Sequence, residues 1–144
     1  MADIAILYPP NLANQDDPGV DVATRIAGAS IAAGQVTTVD TNGYAQVADA
    51  SVTGSQQPDG INIVLPKNQG QAISVVRAGI VAGYDLSALA FGALVYLDTA
   101  GQISTTANGT KTVPLGKVVP SARVNADGTV DKLLQVWINP LVNY

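Results

Sequence analysis

Twelve residues from Ala32 to Gly43 reappear in altered form 58 positions later, from Ala90 to Gly101. Ala32/Ala90, Gly34/Gly92, Asp40/Asp98, Thr41/Thr99 and Gly43/Gly101 match. Between the matched ends lie short runs suited to a strand, Val36-Thr37-Thr38-Val39 and Leu94-Val95-Tyr96-Leu97. Each run enters an Asp-Thr-x-Gly corner. Asp bonds to the backbone just after it and Gly takes positive φ without steric cost, so such a corner turns the chain back on itself. The spacing predicts two similar β-hairpins, with Asp40, Gly43, Asp98 and Gly101 as their turn residues. With only two copies, the pattern is not that of a solenoid.

Composition agrees with a chain of many corners. All eleven acidic residues are Asp, and fourteen Gly and eight Pro accompany them. Asp, Gly and Pro favour turns and caps over helix interiors. At 144 residues the chain has the size of one ordinary domain and can bury a core without disulfides or metals. It contains neither Cys nor His. It therefore lacks thiolate chemistry, disulfides, the usual proton shuttle near neutral pH and the commonest metal ligand.

Only 12% of residues are charged, which is low enough to suggest that part of the surface is covered by partners. The seven basic residues are scattered and the net charge is −4, so no direct nucleic-acid surface is expected. The longest uncharged run, Ile26 to Val39, has 14 residues and is interrupted by Gly28 and Gly34. A spanning helix needs about 20 apolar residues, so no membrane partner is expected. The N-terminus has Asp3 where a secretory signal would carry basic residues, which points to a cytoplasm-like site of synthesis.

Along the chain, residues 1–20 form an expected N-terminal arm and residues 21–144 a single β-domain. Ile4, Ile6 and Tyr8 alternate on one face of a possible strand, with Leu7 opposite, before Pro9-Pro10 interrupts regular pairing. Such a strand pairs either with another chain's sheet edge or with its own domain. Further strands are expected at 24–27, 35–40, 44–48, 60–65, 71–77 with 80–81, 93–97, 102–106, 113–119 and 130–138. Pro114, Gly116 and Pro120 mark the run 113–119 as an edge or bulged strand. Alternation along the last run places Trp137 with Gln135, and Trp137 is expected to be partly buried. One short helix is expected near 85–91, capped by Asp85 and ended by Gly92. These elements describe an all-β fold, a compact β-barrel or sandwich of β-tulip-like form.

Signals for chemistry are weak. Asn108-Gly109-Thr110-Lys111-Thr112 resembles the tail of a phosphate-binding loop, but the residue order is wrong and no helix follows. Asn108-Gly109-Thr110 also matches a glycosylation sequon. Asp16 and Asp17, with Asp21 nearby, could gather around a hard cation, although EF-hand spacing is absent. Paired carboxylates for glycoside hydrolysis would have to come from Asp residues that nearly all sit at turns. No catalytic residue, cofactor site or metal site is assigned, and the protein is not expected to be an enzyme.

Longer segments follow a recognisable order. Ala27 to Val36 precedes Asp59-Gly60-Ile61, Gly70 to Val75, Gly79 to Gly83, Leu89 to Asp98 and Leu115 to Val119. Over residues 27–138 this order resembles the capsid cement, or head decoration, proteins of tailed bacteriophages, the lambda-type group of small β-domains. The resemblance implies a homotrimer on the outer surface of the virion capsid, bound to the major capsid protein at local three-fold positions and stabilising the expanded shell. It also implies an N-terminal arm that pairs with capsid segments, a place here taken by Ile4, Ile6, Leu7 and Tyr8. On this reading, removing residues 1–10 leaves a folded trimer that no longer binds shells. A tail or head-fibre adaptor and, from another class, a carbohydrate-binding module or lyase-like enzyme are the alternatives.

Overall fold

The computed structural model describes residues 3–14, 18–139 and 141–144. It contains ten strands: β1 (Ile6–Leu12), β2 (Asp21–Ile26), β3 (Val36–Val39), β4 (Ala45–Val47), β5 (Gly60–Asn62), β6 (Ala72–Tyr84), β7 (Leu94–Leu97), β8 (Ile103–Ser104), β9 (Pro114–Val124) and β10 (Val130–Trp137). All belong to one curled, antiparallel sheet. The fold is all-β, as the turn-rich composition predicts.

β6 organises the sheet. Its 13 residues are long enough to take different partners along its length. Val76 lies between Val22 of β2 and Ile61 of β5, whereas Val81 lies between Leu12 of β1 and Leu134 of β10. The first half of β6 thus carries β2, β5, β3 and β4, and the second half carries β1, β10, β9, β7 and β8. Where the halves meet, the register with β2 skips Arg77, and Gly79 follows at φ 156°. An extra residue beside a glycine bends and twists a strand, which allows the sheet to curl.

The core follows from this curl. Consecutive side chains on a strand face opposite ways. Val75 joins Ala27, Ile31, Ala45 and Ile73 in a small cluster, while Val76 and Val81 join the main core with Ile61, Leu97, Leu115 and Leu134. Burying each such Leu or Ile contributes about 1.5–3 kcal/mol. Gly116 of β9 faces the Gln135 backbone so closely that a Cβ there would overlap the carbonyl.

The two predicted hairpins are β3–β4 and β7–β8, and their frames match bond for bond. Gln35 N–H donates to Ala32 O, and Ala93 N–H to Ala90 O. Gly34 and Gly92, at φ 83° and 85°, donate to the neighbouring β5 side and to β9 through Asn62 O and Val118 O. Asp40 N–H donates to Tyr44 O, and Asp98 N–H to Gln102 O. The corners then diverge. Asp40 receives the amides of Asn42 and Tyr44 on Oδ1, and Gly43 has open space around it. The second corner, which includes the short 3₁₀ turn Thr99–Gly101, folds inward onto the end of β4. Gly101 N–H donates to Ala48 O at 2.7 Å, Ala100 N–H to Asp49 Oδ2 at 3.2 Å, and Ala50 N–H to Asp98 O at 3.1 Å. One corner is a solvent-facing bend and the other joins the two halves.

Four local expectations are corrected or narrowed. Residues 85–91 form turns instead of a helix: Asp85 accepts the Ser87 amide and hydroxyl, one Leu89-to-Leu86 bond closes, and Gly92 is already bonded to β9. Helix nucleation is costly and too few residues follow to repay it. β9 has the bulges expected of its prolines, with register shifts at Pro114 and Pro120, but it is not an edge strand, since it pairs with both β7 and β10. β5 stops at Asn62 because that side chain bonds Val64 N–H and Ala32 O. Trp137 is 61% exposed, since its inward-facing neighbours Val136 and Ile138 fill the core.

Two glycines test the divergence of the hairpins. Gly43→Ala meets only the positive-φ cost, roughly 1–2 kcal/mol. Gly101→Ala carries that cost and also presses on Val36 O and Val47, which raises the loss by about 1–3 kcal/mol. Urea melts of the two variants are expected to rank them in that order.

Candidate binding surfaces

The N-terminal segment is extended and its backbone is paired within the chain. Asp3 bridges to Ser104 of β8, and Ile4 N–H donates to Ile103 O at 2.7 Å. Farther along, β1 pairs with β6 through Ile6–Tyr84, Asn11–Ala82 and Leu12–Val81. The segment therefore spans from β8 to β6 and joins the ends of the second half into a ring. The register breaks between Ile6 and Asn11, because Pro9 and Pro10 have no N–H to donate. At this break the chain rides over Gly83 (φ 121°), where any Cβ would strike Tyr8 O and the Pro10 backbone.

The four residues expected as a capsid-binding arm have different roles. Ile4 is 8% exposed and belongs to the main core. Ile6 is half-exposed and lies against Gly34, beside the buried Tyr84 hydroxyl, which donates to Gly34 O at 2.7 Å. Burial pushes the Tyr84 phenol far above its ordinary pKa, so it remains a donor. Leu7 and Tyr8 are 64% and 50% exposed. They form one wall of a groove of about 490 Å³, completed by Gly83 to Ser87 and Val130 to Leu133. Because Ile4 is a core residue, removing residues 1–10 takes away part of the core and one closing strand, so it is not a clean test of the arm.

Charged side chains at this groove are largely committed. Lys132 Nζ donates to Leu89 O and lies 5.6 Å from the Phe91 ring centre. Asp85 is held below the usual carboxylate range by hydrogen bonds from Ser87. A second, more apolar groove of about 530 Å³ lies on the outer face of β7, β9 and β10, where Leu94, Pro114 and Trp137 meet Tyr144. Alternation along β10 was legible in sequence, but the meeting of these residues from separate strands was not.

The weak chemical motifs have structural roles. Asn108 accepts Thr110 N–H and donates to Asp98, so this loop braces a turn. Asp59 takes a bidentate pair from Arg25 at 2.8 and 3.2 Å, with Arg77 3.7 Å away, and fastens β2 and β6 to the start of β5. Asp21 lies 3.9 Å from Arg77, while Asp16 and Asp17 fall outside the described residues. Among the described residues no group of three or more His, Cys, Asp or Glu is placed to hold a metal. No helix among them is long and apolar enough to cross a membrane. The turn residues Asp40, Gly43, Asp98 and Gly101 serve the frame described above.

Comparison of the chain with family models, with curated proteins and with solved structures finds no match.

Replacement of Ile4 by Ala is expected to cost about 2–4 kcal/mol as a core truncation. Leu7→Ser and Tyr8→Ser, at exposed sites, should each stay within about 0.5 kcal/mol of the parent. Tyr84→Phe leaves Gly34 O without its buried donor and should cost about 1–3 kcal/mol. Chemical denaturation of the four variants measures all of these differences.

Proposed function

We propose that this chain is a capsid cement protein of a tailed bacteriophage. It binds the outer surface of the expanded head as a trimer at local three-fold positions and stabilises the shell against internal pressure. The observation that carries this reading is the N-terminal segment, where Leu7 and Tyr8 stand exposed on an irregularly paired stretch at the rim of a groove. An apolar, extended stretch whose ladder with its own sheet is interrupted suits pairing with a strand of another chain, and backbone pairing tolerates variation in the partner's sequence. The resemblance over residues 27–138 and the weakly charged composition support the same reading.

The mechanism requires no reaction. Three copies of a modest contact, presented together, combine through effective concentration and give tight attachment without any one strong site. Ile4 anchors the segment in the core while Leu7 and Tyr8 face outward, so attachment to the shell places load on a strand continuous with the sheet. The acidic net charge suits an exterior position, away from the packaged genome.

Cryo-electron microscopy of the phage particle that carries this chain tests the proposal. Trimeric density at local three-fold positions, in hundreds of copies, is expected. Density confined to the portal or tail, in a few copies, supports the adaptor reading instead. The double variant Leu7→Ser/Tyr8→Ser should fold as the parent does and lose co-sedimentation with expanded heads. Binding at the parental level would remove Leu7 and Tyr8 from the contact.

A further inference from the structure

The bend in β6 leaves one arginine without a partner residue on β2. Asp21 pairs with Ala78 and Val22 with Val76, so Arg77 is the extra residue of a bulge. A bulge re-aims the side chain of its extra residue. Arg77 comes to lie where the ion pair of the first half is already complete. Arg25 donates Nε to Asp59 Oδ2 at 2.8 Å and Nη2 to Oδ1 at 3.2 Å, so both carboxylate oxygens are taken. Arg77 Nε stays 3.7 Å from Asp59 Oδ1, and its Nη1 stays 3.9 Å from Asp21 Oδ2. These contacts attract, but they are too long for hydrogen bonds. The Nε atom is shut off from solvent and has no hydrogen-bond partner among the described residues. A guanidinium presents five N–H donors in a planar fork, and a buried donor without an acceptor is costly.

A cavity of about 280 Å³ opens beside this fork. Its polar lining converges from four parts of the chain: Thr38 on β3, Gln57 ahead of β5, Arg77 on β6 and Asn143 after β10. Gln57 Oε1 accepts Tyr144 N–H at 2.9 Å, so its Nε2 group is the part that can donate to a guest. Pro58 and Ile138 add an apolar wall. We propose that this cavity binds a singly charged carboxylate of the size of a glutamate or aspartate side chain, with Arg77 as its anchor.

The chemistry selects that guest. Two coplanar oxygens match the guanidinium fork and turn one buried charge into a bidentate pair. The local charges, Arg25 and Arg77 against Asp59 and Asp21, cancel in number. One added negative charge can be held by Arg77 alone, whereas a phosphate dianion would face Asp59 with no second cation in the lining. The Asp21 side chain is 57% exposed and can turn to water as the guest enters, while Asp59 stays with Arg25. The apolar wall suits the methylenes of an acidic side chain. The site belongs to the isolated chain, so it stands or falls independently of any shell.

Nuclear magnetic resonance of the purified full chain tests it, with the arginine Nε–H signals as reporters. The probe is N-acetyl-glutamate α-amide at about pH 6, where its carboxyl is ionised. The Arg77 signal should shift saturably, with half-effect at about 1–10 mM, as expected of a single bidentate pair. The exposed Arg123 should not follow it. The neutral N-acetyl-glutamine α-amide should leave Arg77 unmoved. Arg77→Lys keeps the charge but loses the fork, so binding read from the Gln57 side-chain amide should weaken about tenfold; its amide spectrum shows whether it has folded. Equal binding of acetate supports the site and assigns it to a free carboxylate; tighter binding of the glutamate probe assigns it to an acidic side chain. An unmoved Arg77 signal, an equal response from Arg123 or from the glutamine probe, or tighter binding of inorganic phosphate overturns the proposal.

Discussion

One strand of 13 residues serves four neighbours, and most of the structure depends on that sharing. β6 is buried on both faces over part of its length, with Val75 turned to one cluster and Val76 to another. A strand in that position cannot slip by one residue without exchanging the two sets of side chains. It also cannot remain flat, because β2 and β5 leave it where β1 and β10 begin. The skipped Arg77 and Gly79 supply the bend. The Arg25–Asp59 pair fixes the first half nearby, where Arg77 also approaches the same carboxylate.

The two hairpins show how one local solution can serve different ends. The same hydrogen bonds frame both, down to a glycine at φ near 85° before each first strand. In the first copy the corner is left in solvent. In the second, the corner is pressed onto residues 48–50, so the position occupied by Gly43 in one copy is occupied in the other by Gly101 against Val36 and Val47. A local motif can be repeated faithfully while the contacts that decide its energetic weight come from elsewhere in the fold.

The N-terminal segment combines firm and weak holds. Ile4 is in the core, whereas the register with β6 is broken between Ile6 and Asn11. Stability is unevenly distributed in folded proteins, and elements that bind partners are drawn from the weakly held end. A closing strand with exposed Leu7 and Tyr8 fits that pattern, which is why the functional proposal rests on it.

By itself the sequence determined the all-β class, both hairpins and their corner residues, the alternation along β10 and the glycines that permit tight turns. These are local properties, set by side-chain periodicity of two and by which residues tolerate positive φ. Tertiary structure alone decided that Ile4 is core while Leu7 and Tyr8 are surface, and that Trp137 faces outward. It likewise made β9 interior despite its prolines and set Asp3 opposite Ser104. Each depends on which distant strand lies alongside, and periodicity states that a residue has a face without stating what covers it. The short helix expected near 85–91 is absent although its capping Asp and terminating Gly are present: Asp85 holds Ser87 in a turn, Gly92 N–H bonds Val118 of β9, and the few residues between cannot repay helix nucleation.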